Sequence, residues 1–339
     1  MKKLITLILA VVTLCCAVFC TACNDNQSAV NENGTVSVKY YQSASDMLPL
    51  LKKGDLTIGL LPEPAATQLT KMASDKTWTR IDVQTLYNDQ TCAYPQAVMM
   101  VKESLLNTYP QLVQNVAQTF DANISWVKEN VSSAVSAINE KVASGVTPSL
   151  NANNIDATVV DNCKIYYESA ENSKQAVKTY LEQIISLEST SAKPVEDDFF
   201  YTGSASGQFT SNTVSVVAPD GAPALAIAKY AFDNQDFGSG KTVNYSVVNA
   251  SNIGGALQKG TGDIVIIPVN AASKLYKANA SDPYKMVAVV THGNLYLMSS
   301  KPFITLAGQT VGVIGQGLVP DLTFKVVLNK NKMGLKIAD

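Results

Sequence analysis

Apolar and polar positions along the chain fall into two stretches that read as versions of one another. The first runs Val36-Ser-Val-Lys-Tyr-Tyr41, a helical stretch over 45–53, Gly54-Asp55, the apolar run Leu56-Thr-Ile-Gly-Leu-Leu61, then Pro62-Glu63-Pro64-Ala65-Ala66 and a helix to Lys71. The second runs Val243-Asn-Tyr-Ser-Val-Val248, a helical stretch over 251–259, Gly260, the run Asp263-Ile-Val-Ile-Ile-Pro268, then Val269-Asn270-Ala271-Ala272 and a helix to Lys277. Each copy predicts strand, short helix ended by Gly, strand, Pro-bearing turn and helix, a β-α-β-α unit. The strand runs do not alternate cleanly, which is the pattern of strands covered by helices on both faces. Two such units predict an α/β chain of two similar lobes, each a mostly parallel sheet flanked by helices. Ligand loops are then expected at the carboxyl ends of the strands.

Between the copies, 104–190 is predicted to be largely helical, with apolar residues at every third or fourth position over 105–130 and again over 173–187. A Gly/Ser-rich segment without periodicity, 202–212, predicts a flexible linker. Beyond it, Val214-Ser-Val-Val217 leads through Ala218-Pro219-Asp220-Gly221-Ala222-Pro223 into a helix over 224–232. Near the end, Thr310-Val-Gly-Val-Ile314 leads through Gly315-Gln316-Gly317 into a helix over 321–331.

The first residues assign a compartment. Lys2 and Lys3 precede an apolar run over 4–20 and an abrupt polar stretch, the order of a signal peptide over 1–22. Cys20-Thr21-Ala22-Cys23 resembles the bacterial lipobox, with Cys20 where a Leu or Val is usual; it implies lipidation of Cys23, and 23–34 reads as a tether. Four of the six cysteines belong to this export segment, which leaves Cys92 and Cys163 and excludes a cysteine-built zinc or iron-sulfur site. In an exported domain the two form either one disulfide or two separate buried thiols. With 46% hydrophobic residues and a net charge of -2, the composition is that of an ordinary globular protein, with no call for a nucleic-acid partner.

Several phrases resemble the substrate-binding proteins of the nitrate, sulfonate, taurine and thiamine-precursor ABC importers, a branch of the type II periplasmic-binding fold. They are Pro219-Asp-Gly-Ala-Pro-Ala-Leu-Ala226, the run Asp263 to Pro268 with Asn270, Gly293-Asn-Leu-Tyr296, Leu306-Ala-Gly-Gln-Thr-Val-Gly312, Leu61-Pro-Glu-Pro-Ala65, Tyr94-Pro-Gln-Ala97 and Glu196-Asp-Asp-Phe-Phe-Tyr201. The order differs from that family, whose chains begin with the segment found here at 214, run through the one ending at 339 and continue into the one starting at 35. The resemblance therefore implies a circular permutation, with 202–212 joining the old termini. It divides the chain into one lobe built from 91–201 and 213–306 and another from 307–339 and 35–90.

The same resemblance implies a small-solute trap that closes about a hinge and docks on a membrane permease with its ATPase. The chain is then a monomeric lipoprotein on the extracytoplasmic face, without a cofactor or metal and without catalysis. Enzymes on the same fold and sensors without a permease are the rival readings; no His/Asp/Ser constellation or phosphate loop supports the first. Helix N-termini hold small anions, so Gly221, Ala222 and Pro223 in one lobe and Gly315, Gln316 and Gly317 in the other are candidate cradles, or simply tight turns. Asn270 and Glu63 stand in equivalent places after a strand, facing the cleft: Asn270 for a ligand oxygen, Glu63 for an amine, a protonated ring or the neighbouring backbone. Ser43 and Ser45 supply ligand hydroxyls or cap the next helix. His292, the single histidine, either lines the cleft or is incidental, and Tyr94 and Tyr296 are expected near the hinge or in ordinary packing.

Overall fold

The structure, a computed structural model, describes residues 34–87, 94–301 and 306–338, apart from the side chain of Ser45. The predicted leader, the lipidation site Cys23 and Cys92 lie outside the described residues. The chain opens with β1 (Thr35–Tyr41), α1 (Ala44–Lys53), β2 (Ile58–Pro62), α2 (Ala65–Met72), β3 (Thr79–Asp82) and α3 (Val83–Tyr87). It crosses to β4 (Pro95–Lys102), α4 (Glu103–Thr108), α5 (Gln111–Glu129), α6 (Val131–Asn139), α7 (Ala157–Asn162), β5 (Ile165–Ser169) and α8 (Ala170–Leu187). Next come β6 (Thr213–Pro219), α9 (Ala222–Leu225), α10 (Ala228–Asp233), β7 (Thr242–Val248), α11 (Ile253–Gln258), β8 (Ile264–Pro268), α12 (Val269–Leu275) and β9 (Tyr284–His292). The chain then crosses back to β10 (Leu295–Ser299), β11 (Thr310–Ile314), α13 (Val319–Lys330) and β12 (Gly334–Ile337).

These strands make two six-stranded sheets, each with its helices a lobe. Lobe A has the order β12-β1-β11-β2-β10-β3 and lobe B the order β5-β9-β4-β8-β6-β7. Both are mixed rather than mostly parallel: in lobe A only the pairings of β10 are antiparallel, whereas in lobe B only β6 with β7 and β8 pairs in parallel and β4 and β5 run against their neighbours. Each sheet receives an antiparallel strand from a chain crossing out of the other lobe, β10 beside β2 and β4 beside β8. The predicted repeat is therefore real, with β1-α1-β2-α2 answered by β7-α11-β8-α12. In lobe B, β6, the middle of the parallel trio β8-β6-β7, precedes its two neighbours in sequence, whereas its counterpart in lobe A, β11 between β1 and β2, follows them.

The blurred alternation of the strand runs has its cause in the core. In lobe B, Val98, Met100, Val265 and Ile267 pack on one face, while Ala97, Met99, Ile264 and Ile266 pack on the other, so β4 and β8 are covered on both faces. In lobe A, Val36, Val38, Leu60 and Leu297 belong to the first of these clusters, which is continuous through both lobes and includes residues of α8 and α13. The opposite face of lobe A carries α1 and α2 over Leu61, Tyr296 and Met298.

Several expectations change. Residues 295–299, expected with 213–306 in one lobe, form β10 in the other sheet, so the lobe exchange falls at Gly293 and Asn294. The helix expected over 105–130 is two, because Pro110 cannot continue α4 and instead opens α5. The helix expected over 224–232 divides at Ala226 and Ile227. β5 interrupts the helical region 104–190. Segment 202–212 forms no helix or strand, yet it is pinned rather than loose: Ser206 donates to Glu103 at 2.8 Å, Asn107 to the Gly207 carbonyl at 2.7 Å, and Phe209 is buried against Tyr109. Cys163 is a free thiol sealed in the lobe B core, so of the two alternatives the disulfide is not formed; Cys92 lies outside the described residues.

Candidate functional site

Both crossings leave from carboxyl ends of strands, His292 of β9 and Asp82 of β3 followed by α3, and the lobes touch near them, Tyr296 with Asn162 and Lys71 with Asn153. Gly221 follows β6, Gly315 follows β11, Ser43 follows β1, Glu63 follows β2, Asn270 lies two residues beyond β8, and His292 ends β9. Each of these residues thus ends or closely follows a strand, but their side chains are used in different ways.

The two glycine turns are filled by the protein itself. In lobe B, Asp220 accepts from the Gly221 N–H at 3.0 Å and from the Ser149 N–H at 2.7 Å. Pro223 has no N–H, and the N–H groups of Ala224 and Leu225 turn inward to the Gly221 carbonyl. In lobe A, Asp321 is fully buried in the first turn of α13 and accepts from the Gly317 N–H at 2.8 Å. Gly315 donates to the Tyr41 carbonyl and Leu318 to the Gly315 carbonyl. An internal carboxylate therefore stands where each turn was expected to receive an anion. Gln316 lies in the second turn without a contact of its own to add.

Asp321 is also the centre of a bond network between lobes. Tyr40 donates to it at 2.8 Å and Lys325 at 2.8 Å, and Lys325 also bonds Glu188 at the end of α8 in lobe B. Burial and the Asp321 carboxylate push the Tyr40 phenol up to about 12. Burial works against the Lys325 ammonium, but its two carboxylates outweigh that and hold it above its ordinary range. Close by, the hydroxyls of Tyr180 in lobe B and Thr323 in lobe A meet at 2.7 Å.

On the other side of the gap stands the chain's one arginine. Glu63, 2% exposed, accepts from the Thr67 N–H at 3.1 Å, the Thr67 hydroxyl at 2.8 Å and Arg80 at 2.5 Å. Of the three roles offered for Glu63, the carboxylate fills the one within the fold, bonding neighbouring backbone and a cation. The Arg80 guanidinium lies 3.8 Å over the Tyr296 ring, and the Tyr296 hydroxyl donates to the Asn162 carbonyl of lobe B at 3.1 Å. Burial, and then Asp82, push that phenol up to about 12. Burial likewise raises Asp82, and it pushes the Cys163 thiol well up, with the Glu63 charge adding to the effect. Lys71 completes the contact, 3.5 Å from the Asn153 carbonyl and 3.8 Å from Asp156 across the gap.

At the crossing itself His292 is fully buried, stacked on Tyr166 at 3.6 Å, with Nε2 3.2 Å from Glu168 and Nδ1 3.3 Å from the Lys164 carbonyl. Gly293 permits the crossing because a Cβ there would lie 2.3 Å from the Tyr94 ring. The Gly293 carbonyl is held by Gln84 of α3. Four polar atoms on these two crossings, Tyr94 Oη, Gln96 Oε1, Thr291 Oγ1 and Asn294 Oδ1, are closed off from solvent and meet no hydrogen-bond partner.

The strand register corrects the equivalence drawn from sequence. Pro62 faces Leu295 and Pro268 faces Ala97, so the counterpart of Asn270 is Pro64, and Glu63 answers to Val269. Asn270 directs its amide N–H to the Ser191 carbonyl at 3.1 Å, tying α12 to the segment after α8. Ser43 caps α1, accepting from the Asp46 N–H at 3.3 Å and donating to its carboxylate at 2.8 Å. Ser45 lies in the same first turn. Sequence reasoning missed Arg80, Asp321, Gln96 and Asn294. Three of them carried a signal: Arg80 is unique in the chain, and Gln96 and Asn294 lie in phrases that carry the resemblance.

No family model and no curated protein matches the chain. Among solved structures it is similar to the oligopeptide-binding protein AppA from Bacillus subtilis in complex with a nonapeptide, at 10% identity and TM-score 0.31, covering 76% of this chain and 54% of that one. It is also similar to NikA from Staphylococcus aureus in complex with Ni(L-His)2, at 8% identity and TM-score 0.31, covering 77% and 56%. A third is NikA from Brucella suis in complex with Fe(III)-EDTA, at 9% identity and TM-score 0.26, covering 76% and 56%. The chain spans about half the length of these structures, and their ligands belong to those proteins.

Proposed function

We propose that this chain is an extracytoplasmic solute-binding lipoprotein of an ABC importer, which takes a small solute between its lobes and delivers it to a permease. The observation that carries the reading is a pair of six-stranded sheets built on one repeated unit and joined by two chain crossings, with side-chain contacts between the lobes beside them. Lobes so joined can stand open or closed, and a ligand touching both lobes favours the closed state by its differential affinity for it. Tyr296 to Asn162 and Lys325 to Glu188 are contacts of the kind that closure makes. The acylated Cys23 tethers the domain to the membrane.

The chain order is that of a circular permutation of the nitrate, sulfonate and thiamine-precursor binders. Lobe B runs β6, β7, β8 outward from its centre, and lobe A would do so if α13 led directly into β1. The Gly334 N–H donates to the Gly34 carbonyl at 2.8 Å, so the two ends lie side by side for that connection.

A thermal-shift screen of the chain against nitrate, sulfonates, bicarbonate, thiamine precursors, amino acids and short peptides tests the reading. A solute at a hundred times its dissociation constant adds about 2.7 kcal/mol. A saturable shift with no chemical change in the solute is expected; turnover of the solute would overturn it in favour of an enzyme.

A further inference from the structure

We propose that one end of lobe A is a docking surface for an anionic lipid bilayer, so that this lobe, rather than lobe B, lies against the membrane. The surface is separate from solute capture; only its nearness to the membrane rests on the reading of Cys23 as the lipid anchor.

The overall charge of -2 conceals a division between the lobes. Residues 35–87 and 295–338, which make lobe A, carry eleven basic and six acidic side chains, a net charge of +5. Residues 94–294, which make lobe B, carry thirteen basic and eighteen acidic ones, a net charge of -5. A body so divided turns its positive end toward a negative surface and its negative end away.

The topology gathers basic residues of lobe A at the end where the chain enters its sheet. Strands β12, β1, β11 and β2 are parallel, so α1 returns from the carboxyl end of β1 to the amino end of β2 and brings Lys52 and Lys53 there. Lys76, shortly before β3, donates to the Lys52 carbonyl. β10 runs the other way, so Lys301, two residues beyond it, arrives at the same end: the Ser300 N–H donates to the Thr57 carbonyl at 3.1 Å, and the Thr79 hydroxyl to the Lys301 carbonyl at 2.7 Å. Lys332 precedes β12, whose first residue, Gly334, bonds Gly34. Lys52, Lys53, Lys301 and Lys332 are exposed and Lys76 is half-buried. Two carboxylates share this end, Asp75 and the Asp55 that pairs with Lys53 at 2.8 Å. Lys52, Lys301 and Lys332 have no carboxylate partner among the described residues. On the adjoining sheet edge the exposed Lys336 faces Ser37, and the exposed Lys39 lies two residues further along β1, so both project from one face.

Eleven residues lead from Cys23 to Gly34, and at full extension they span no more than about 40 Å. An anchored N-terminus therefore holds this end of lobe A nearest the bilayer. Screening confines the attraction of exposed charges to about 8 Å, so the lysines act once that end touches. Each lysine at the surface of an anionic bilayer then strengthens adsorption roughly fivefold. A dissolved polyanion would not require the basic end to coincide with the entry of the tether; a bilayer does.

The test uses the chain from residue 24 onward, free of lipid, which contains every described residue. Its sedimentation with phosphatidylcholine vesicles is compared with that on vesicles in which phosphatidylglycerol replaces roughly a third of the lipid, at about 0.05 M and about 0.5 M salt. Adsorption to the anionic vesicles at low salt is expected, lost at high salt and absent with phosphatidylcholine alone. A variant carrying Lys52→Gln, Lys301→Gln and Lys332→Gln should bind at least about tenfold more weakly. Lys193→Gln, Lys259→Gln and Lys274→Gln together remove the same charge from exposed positions of lobe B and should change binding less than about twofold. Equal weakening by the two variants would mean that net charge rather than this face is read, and overturns the proposal. Absence of adsorption to the anionic vesicles overturns it as well, and so does retention on heparin without adsorption to vesicles, which assigns the face to a dissolved polyanion. Incorporation of labelled palmitate by the full chain, compared with Cys23→Ser, reads the anchor separately: an acylated chain whose lipid-free form ignores anionic vesicles has the anchor without the surface, and a chain that adsorbs without being acylated has the surface without the anchor.

Discussion

Arg80 is the residue on which the lobe A side of the gap depends. Its partner Glu63 has no exposed side-chain surface, so removing the guanidinium leaves a carboxylate buried without its cation. With Arg80 itself about a quarter exposed, Arg80→Ala is expected to cost about 3 kcal/mol, read as a fall in the urea midpoint, and Glu63→Gln in the same background should recover much of it. A loss below about 1 kcal/mol would mean the pair is no stronger than a surface bridge. The tyrosines give a pH dependence with a definite sign. Burial raises the phenols of Tyr40, Tyr230 and Tyr296 from 10.0 to about 12, so between those values the folded chain holds protons that the unfolded chain releases. Stability therefore falls as pH rises from 10 to 12. Phenolate absorbance from these groups should appear together with the loss of circular dichroism; their ionisation near pH 10 in a chain that stays folded would contradict the burial. Glu63 and His292 could be picked out from sequence because their types are scarce or their places marked. What they bond to could not, because Arg80 lies 17 residues beyond Glu63 and Glu168 lies 124 before His292.

Among the elements, β1-α1-β2 and β7-α11-β8 were legible because local signals and burial agree: a polar cap, an apolar face, a glycine stop. Ser43 is such a signal, and Ser43→Ala should cost about 1 kcal/mol at the start of α1, with Ser43→Gly costing less. Equal losses from both would show that the hydroxyl does not cap. The crossings were illegible as crossings, since nothing in Gly293-Asn-Leu-Tyr296 states that the strand after the glycine joins the other sheet. Only the pairing of Leu295 with Pro62 does so. The physical demand there is close packing. Gly293→Ala places a methyl against the Tyr94 ring, held in turn by Tyr87 and Tyr180, and is expected to cost about 1 to 3 kcal/mol in chemical denaturation. An unaffected midpoint would mean the ring moves freely. The split at Pro110 was within reach of sequence reasoning, whereas β5 was not, because Ile165-Tyr-Tyr-Glu-Ser169 pairs only with the distant β9.

For the whole molecule, the continuous apolar cluster that includes α8 and α13 makes the lobes one folding problem even though each has its own sheet. If the chain order arose by permutation, reversing it should be tolerated. A chain beginning at Gly203, with 338 joined to 34 through a short glycine link and ending at Thr202, is expected to melt within a few degrees of the parent, because it keeps buried Phe209 and the new joint lies where Gly334 already bonds Gly34. Failure of that chain to fold would count against the permutation. The two-lobed architecture was legible from the repeat and from the both-face burial of its strands. The state of the gap was not, since it depends on Asp220, Asp321 and the lone amides finding or lacking partners far away in sequence. The measurement that bears most directly on the central claim is small-angle X-ray scattering of the protein with and without a solute that raises its melting temperature. A two-lobed trap predicts a smaller radius of gyration on saturation, reached at the same solute concentration as the thermal shift; an unchanged scattering curve at full occupancy would contradict capture by lobe closure.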